Sequence, residues 1–261
     1  MIFNEKFWEK DNSQLTDGLL QNELLDEEKS SKPIILSGFP NYKIISKKDK
    51  VKNPEFFKDL ISALSKLKII RGEDSHTQKE ILKSLITGLE FHDKYTSGHS
   101  DAVSVISLKI GKSMGLTDSK INDLHLAALV HDIGKIIIPT DILNKTTKLT
   151  EEEFSLIKSH CKAGFDILTR TTSLNDIANY VLHHHERWDG KGYPNRIKGK
   201  QIPIISQIIA VADAWSAMTS DRPYRGKLDK CVALEELLQN RGTQFSPEVV
   251  DAYTRVLSIK S

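Results

Sequence analysis

The chain has 261 residues, 39% of them hydrophobic and 28% charged, with a formal net charge of +2. This is the composition of a soluble globular protein. It lacks the large basic field that would mark nucleic acid as a partner, and no apolar run approaches the roughly 18 residues of a membrane span. The opening MIFNEKFWEK has no basic-then-apolar signal pattern. The two cysteines, Cys161 and Cys231, make no disulfide framework, so the expected location is a reducing compartment, the cytoplasm.

In chain order, DNSQLTDGLLQNELLDEEKSSK is polar and turn-rich. PIILSG and YKIIS are β-branched runs separated by FPN, which reads as a small hairpin. After the charged linker KKDKVKNP, Asn53-Pro54 opens a helix with proline in its first turn. That helix carries Phe56, Phe57, Leu60, Ile61, Leu64 and Leu67 at helical spacing to Ile70. It is expected to pack on the domain that follows, with a dimer seam as the alternative. RGEDSH breaks the pattern. From about residue 77 the signal is helical: Ile81 to Leu89 make one stripe and Val103, Ile106 and Ile110 another. Thr117 caps a helix running through Leu124 and Ala128 to His131. Thr150 and Glu153 make a capping box. Leu174, Ile177, Ala178, Val181, Leu182 and His185 form a further stripe. Ile204 to Met218 is apolar nearly all round and reads as a buried central helix. Ser246-Pro247 opens the last helix. The expected fold is mainly α: a short segment over 1–75, whose α/β character stays open, then a helical domain over 76–261.

Nine histidines are present, and they are not scattered evenly. His76 and His125 read as ordinary surface or helix residues, and His92 has only its spacing to His99 to recommend it. His99 sits at a helix start in TSGHS. His131 and Asp132 end a helix in HDIGK. His160 follows Ile157 beside an apolar face. His184 and His185 close another helix in HHHERWDGKGYP. Asp213 lies inside the apolar helix IISQIIAVADAW, where an ionised carboxylate costs several kcal/mol unless paired. A structural salt bridge would satisfy it, and so would a metal. Histidines at the ends of neighbouring helices favour the metal. Imidazole and carboxylate without thiolate suit iron, manganese or zinc at higher coordination, and Cys161 reads as a small buried residue. Six or seven such ligands exceed the need of one ion, so two ions sharing a carboxylate is the economical count. His131 and Asp132, about 100° apart on a helix, would serve different sides of the pair. Lys135, four residues after His131, would share its face if the helix continues. Two ions about 3.5–4 Å apart can hold a bridging hydroxide and clamp a phosphoryl group, so phosphoester hydrolysis is the leading chemistry.

HDIGK at 131–135 and HHERWDGKGYP at 184–194 resemble the two signatures of the HD-GYP domain, a bacterial branch of the HD phosphohydrolases that hydrolyses cyclic di-GMP. DKYTSGHS, AALVHDIGKIIIP, DILNKTTKLTEEEF, IKSHCKAGFDIL, QIIAVADAWSAMTSDRPYR and GTQFSPEVVDAY extend the resemblance over about residues 80–258, and it does not reach the first 75 or so. It implies an HD-type helical bundle. It implies His99, His131, Asp132 and Asp213 at one metal, and Asp132, His160, His184 and His185 at a second. His183 would be an outer residue. Some members hold a third metal through a glutamate four residues before the His99 position. Here that position is Tyr95, so two ions are expected, iron or manganese. Ser216 stands where members often have aspartate, with no expected loss of a ligand. Gly190 and Gly192 permit a tight turn, and Pro194 stiffens it. By resemblance Gly192, Tyr193 and Pro194 border the substrate, and this loop also contacts protein partners in the family. Lys135, Arg222 and Arg225 would balance phosphate charge, and Trp188 and Asp189 would anchor the loop. The expected activity is hydrolysis of cyclic di-GMP to pGpG and/or GMP by a metal-bridging hydroxide, with Asp132 and Lys135 in the catalytic set. The alternatives are a hydrolase of another cyclic or linear dinucleotide, or a non-catalytic cyclic dinucleotide sensor or adapter.

Overall fold

The computed structural model describes residues 98–170, 172–221 and 226–258. The expected hairpin, the helix from Pro54, the 81–89 stripe, the domain boundary near 75, Tyr95, Arg222 and Arg225 lie outside them. Among the described residues the chain is helical, with no strand beyond an isolated bridge between Arg241 and Phe245.

Helix α1 (His99–Ser113) begins just after Gly98, whose left-handed φ of 72° suits glycine. Helix α2 (Asp118–Val130) starts at Thr117, whose hydroxyl accepts from the Lys120 amide. His131 is the C-cap of α2, and Asp132 already leaves helical geometry. A 3₁₀ turn follows over Ile133–Ile137, then the short α3 (Thr140–Leu143). Helix α4 (Glu151–Lys158) opens on the Thr150–Glu153 capping box. Helix α5 (His160–Leu168) follows after Ser159 alone. Helix α6 (Asn175–Leu182) ends directly before His183, His184 and His185. A long loop leads to α7 (Ile204–Thr219), then α8 (Lys230–Gln239), capped by Asp229, and α9 (Pro247–Ser258).

Helix α7 is the centre of the bundle. It packs against α1, α2, α6, α8 and α9, and its Ile205, Ile208, Ile209, Val211, Ala212 and Met218 are fully buried. Each large aliphatic side chain removed from water stabilises by about 1.5–3 kcal/mol, so the register of α7 is strongly held. That register carries Asp213 into the interior with them. The 3₁₀ turn lies on α5 and can do so because residue 134 is glycine. A Cβ there would collide with the His160 carbonyl oxygen and sit 2.5 Å from the Gly164 nitrogen. This close approach brings Asp132 to the start of α5.

Candidate metal centre

Four helix ends deliver the expected residues to one place. His99 comes from the start of α1, His131 from the end of α2, His160 from the start of α5, and His184 and His185 from the turn after α6. Asp213 enters from the middle of α7. Two donor groups form: His99, His131 and Asp132 in one, His160, Cys161, His184 and His185 in the other, with all donor atoms within 4.8 Å of one another inside each group. Asp213 joins the first through its Oδ1, 3.0 Å from His99 Nε2.

The ring orientations are held by backbone carbonyls. His131 Nδ1 is 2.8 Å from the Ala128 oxygen, His160 Nδ1 2.7 Å from the Ile157 oxygen, and His184 Nδ1 2.5 Å from the Val181 oxygen. A carbonyl can only accept, so each Nδ1 carries the proton and each Nε2 of a neutral ring presents a lone pair. Two of those lone pairs, His160 Nε2 and His184 Nε2, face each other at 3.3 Å. His131 Nε2 makes no well-aligned hydrogen bond among the described residues, although the ring is fully buried, and its contact is with Asp132 Oδ2 at 3.3 Å. Buried lone pairs converging on one point, with their opposite nitrogens donating to carbonyls, are what a metal-binding imidazole set requires. The donor set therefore fits divalent cations.

Asp132 joins the two groups. Its Oδ2 lies 3.3 Å from His131 Nε2 and its Oδ1 3.4 Å from His160 Nε2. Lys135 Nζ is 2.6 Å from Oδ2. Burial would raise the Asp132 carboxyl, but Lys135 and the two histidines outweigh it and hold it well below the carboxylate range. The Asp213 carboxyl is held low in the same way, against burial, by its bond to His99 and by the nearby imidazoles. Both are ionised at neutral pH. Burial pushes His184 and His185 well below the ordinary imidazole value and His160 down to about 4, so these rings are neutral and ready to ligate. Burial opposes charge on His131 too, yet the Asp132 and Asp213 carboxylates overcome it and raise that ring. The position is built to hold positive charge.

The structure changes one detail of how these residues are presented. His131 and Asp132 do not share a helix, and Lys135 does not continue one. The chain passes into a 3₁₀ turn, in which residues three apart eclipse, so Lys135 stacks over Asp132 rather than over His131. Two residues to which the sequence assigned no function also enter the site. Ser216 Oγ lies 3.0 Å from His99 Nδ1, supporting that ring from 117 residues away. Cys161 is fully buried with its Sγ 3.6 Å from His160 Nε2. The Ser216 pairing has no local spacing from which it could be read, whereas Cys161 directly follows His160 and its apolar, buried character hid it.

The loop after the histidines covers the site. Tyr193 stacks near His185, ring centroids 5.1 Å apart, and its buried hydroxyl has no hydrogen-bond partner among the described residues. Tyr193–Pro194 is a cis peptide. Gly192 is required by crowding: a Cβ would lie 2.6 Å from both the Glu186 Cα and the His185 oxygen. Asp189 anchors the loop by accepting from Arg187 at 3.1 and 2.8 Å and from the Lys191 amide at 3.0 Å. His183 lies in neither donor group. Its Nδ1 is 2.9 Å from the Asn179 oxygen, and its Nε2 accepts from the Asn195 amide group at 3.1 Å.

The family model of the HD domain matches residues 83–249. The chain belongs to the HD-domain family. Its HDIGK and HHERWDGKGYP motifs put it in the HD-GYP branch. It is 42% identical over 179 residues to the cyclic di-GMP phosphodiesterase of Thermotoga maritima, covering 68% of this chain and 49% of that one. It is 36% identical to the cyclic di-GMP phosphodiesterase response regulator RpfG of Xanthomonas campestris, covering 70% and 49%. It is 34% identical to the 3'3'-cGAMP-specific phosphodiesterase 2 of Vibrio cholerae, covering 67% and 34%. The chain thus spans half or less of the length of these relatives. The fold is also that of an HDG"Y"P protein from Bdellovibrio bacteriovorus, at 16% identity, 83% and 82% coverage and a TM-score of 0.51. Membership of the HD-domain family implies divalent-metal binding, and the two donor groups could hold such ions. No helix among the described residues is long and apolar enough to cross a membrane.

Proposed function

We propose that the protein is a metal-dependent phosphodiesterase that hydrolyses cyclic di-GMP to pGpG and/or GMP. The observation that carries the reading is the convergence of buried imidazole nitrogens on both sides of one ionised carboxylate, Asp132. His99, His131, Asp132 and Asp213 would hold one ion, and Asp132, His160, His184 and His185 the other. Iron or manganese, when bound, supplies Lewis acidity toward phosphoryl oxygens and lowers the pKa of water. The chain's own residues do the rest. Lys135 keeps a fixed positive charge 2.6 Å from Asp132, where it balances charge developing on the phosphoryl or leaving oxygen. The Tyr193 hydroxyl, buried without a partner among the described residues, donates to a phosphate oxygen. Gly192 and Pro194 set the wall on which the substrate rests. Arg222 and Arg225 grip phosphate oxygens through their guanidinium forks. That last role rests on the SDRPYR motif.

Relatives named for cyclic di-GMP and for 3'3'-cGAMP make a mixed cyclic dinucleotide the second substrate to try. The test is anaerobic purification, loading with ferrous iron or manganese, and chromatography of cyclic di-GMP digests beside a His131→Ala, Asp132→Ala double variant. Appearance of pGpG or GMP from the loaded protein and none from the variant supports the reading. Binding without turnover replaces it with a sensor. Turnover of 3'3'-cGAMP alone replaces the substrate.

A further inference from the structure

Cys161 has no role in the reading above, yet its sulfur lies inside the second donor group. It is completely buried, and it follows His160 in the first turn of α5. Two distances define its relation to the neighbouring donors: His160 Nε2 to His184 Nε2 is 3.3 Å, and His160 Nε2 to Cys161 Sγ is 3.6 Å. A tetrahedral zinc-type ion has metal–nitrogen bonds of about 2.0–2.1 Å and metal–sulfur bonds of about 2.3 Å. At a tetrahedral angle those lengths place two nitrogens about 3.3–3.4 Å apart, and a nitrogen and a sulfur about 3.5–3.6 Å apart. Both observed edges have these lengths. A thiol donating to His160 Nε2 would explain the second distance. It would leave the His184 lone pair still facing its neighbour among buried donors.

We infer that Cys161 is a metal ligand, making the His160–His184 side of the centre a mixed imidazole–thiolate site for a soft divalent cation such as zinc or cobalt. This rests on the metal-centre reading above and sharpens it. The iron or manganese preference expected from an all-nitrogen-and-oxygen set does not hold on this side, because a thiolate favours softer ions while carboxylate and water favour manganese. Chelation by sulfur adds nothing on the His99–Asp213 side, so the two ions of the pair can differ.

The test is cobalt(II) titration of the metal-free 261-residue chain under anaerobic conditions, followed by absorption spectroscopy. The expected result is visible d–d bands accompanied by a thiolate-to-cobalt charge-transfer band in the near ultraviolet. Cys161→Ser removes the charge-transfer band, and Cys231→Ser, which changes an exposed thiol, keeps it. In competition titrations Cys161→Ser lowers zinc affinity relative to manganese by at least about tenfold, the scale of a perturbed metal environment. If the Cys161→Ser variant does not fold, X-ray absorption of the zinc-loaded natural chain reads the same claim as a sulfur scatterer at about 2.3 Å. Visible cobalt bands without charge transfer, or a zinc shell of nitrogen and oxygen only, overturn the cysteine assignment and leave the metal centre standing. Absence of all cobalt bands overturns both.

Discussion

Gly134→Ala isolates the contact that holds the two halves of the site together. The added Cβ would collide with the His160 carbonyl and lie 2.5 Å from the Gly164 nitrogen and 2.8 Å from the His160 carbonyl carbon. Real Cβ atoms keep at least 3.0 Å, so the turn and α5 must separate by 3.0 − 2.5 = 0.5 Å at Gly164 and by more at His160. All three of these neighbours are backbone atoms, so no side chain can swing away. Overpacking of this kind costs about 1–3 kcal/mol. At about 2–4 °C per kcal/mol for a protein of this size, the melting temperature should fall by roughly 2–12 °C. The separation also moves His160 away from Asp132 by more than the half-ångström that functional sites tolerate poorly, so manganese affinity should fall by about 10–100-fold. Thermal melting of the metal-free protein and calorimetric titration with manganese measure the two effects. Gly226→Ala, which meets nothing within 4 Å, is the control. A Gly134→Ala protein that melts and binds manganese like the natural chain would refute the close-packing argument.

Ser216→Ala removes the partner of His99 Nδ1 and should lower metal affinity by about 10–100-fold with little change in the metal-free melting temperature; equal affinity in titration would show that the ring needs no such support. Lys135→Met should leave two manganese ions bound but lower kcat by about 100-fold, the effect of losing one charge-stabilising group, and steady-state kinetics with metal analysis separates the two. Metal itself should stabilise the fold: at a free concentration of 100 times Kd each ion contributes about 2.7 kcal/mol, read for one ion as a melting temperature roughly 5–11 °C higher and reversed by a chelator. An unchanged melting curve would mean that the buried donors hold no ion.

Much of the bundle is legible in local chemistry. Thr117, the Thr150–Glu153 box and Pro247 mark helix starts that the structure keeps, and the all-round apolarity of Ile204 to Met218 announces the central helix. Histidines beside apolar stripes point inward because those stripes do, which is why His131, His160, His184 and His185 are all buried. What periodicity misses is the chain leaving its period. The end of α2 at Val130 depends on the 3₁₀ turn packing against α5, a contact made through glycines far apart in sequence. Neither Ser216 nor Cys161 announces a role by its residue type. The Ser216 hydroxyl looks like an ordinary small core group until tertiary packing sets it against His99, and the Cys161 thiol, although next to His160 in the chain, looks like one until packing brings His184 and His185 beside it.

The most direct test of the two-ion centre is turnover of cyclic di-GMP measured as manganese is added stepwise to the metal-free protein, with bound metal counted at each step. The account predicts two ions bound per chain, turnover that rises with the second, and loss of that second step in Asp132→Asn, where the shared carboxylate is gone. Two ions bound without hydrolysis of cyclic di-GMP or 3'3'-cGAMP, or full turnover in Asp132→Asn, would contradict it.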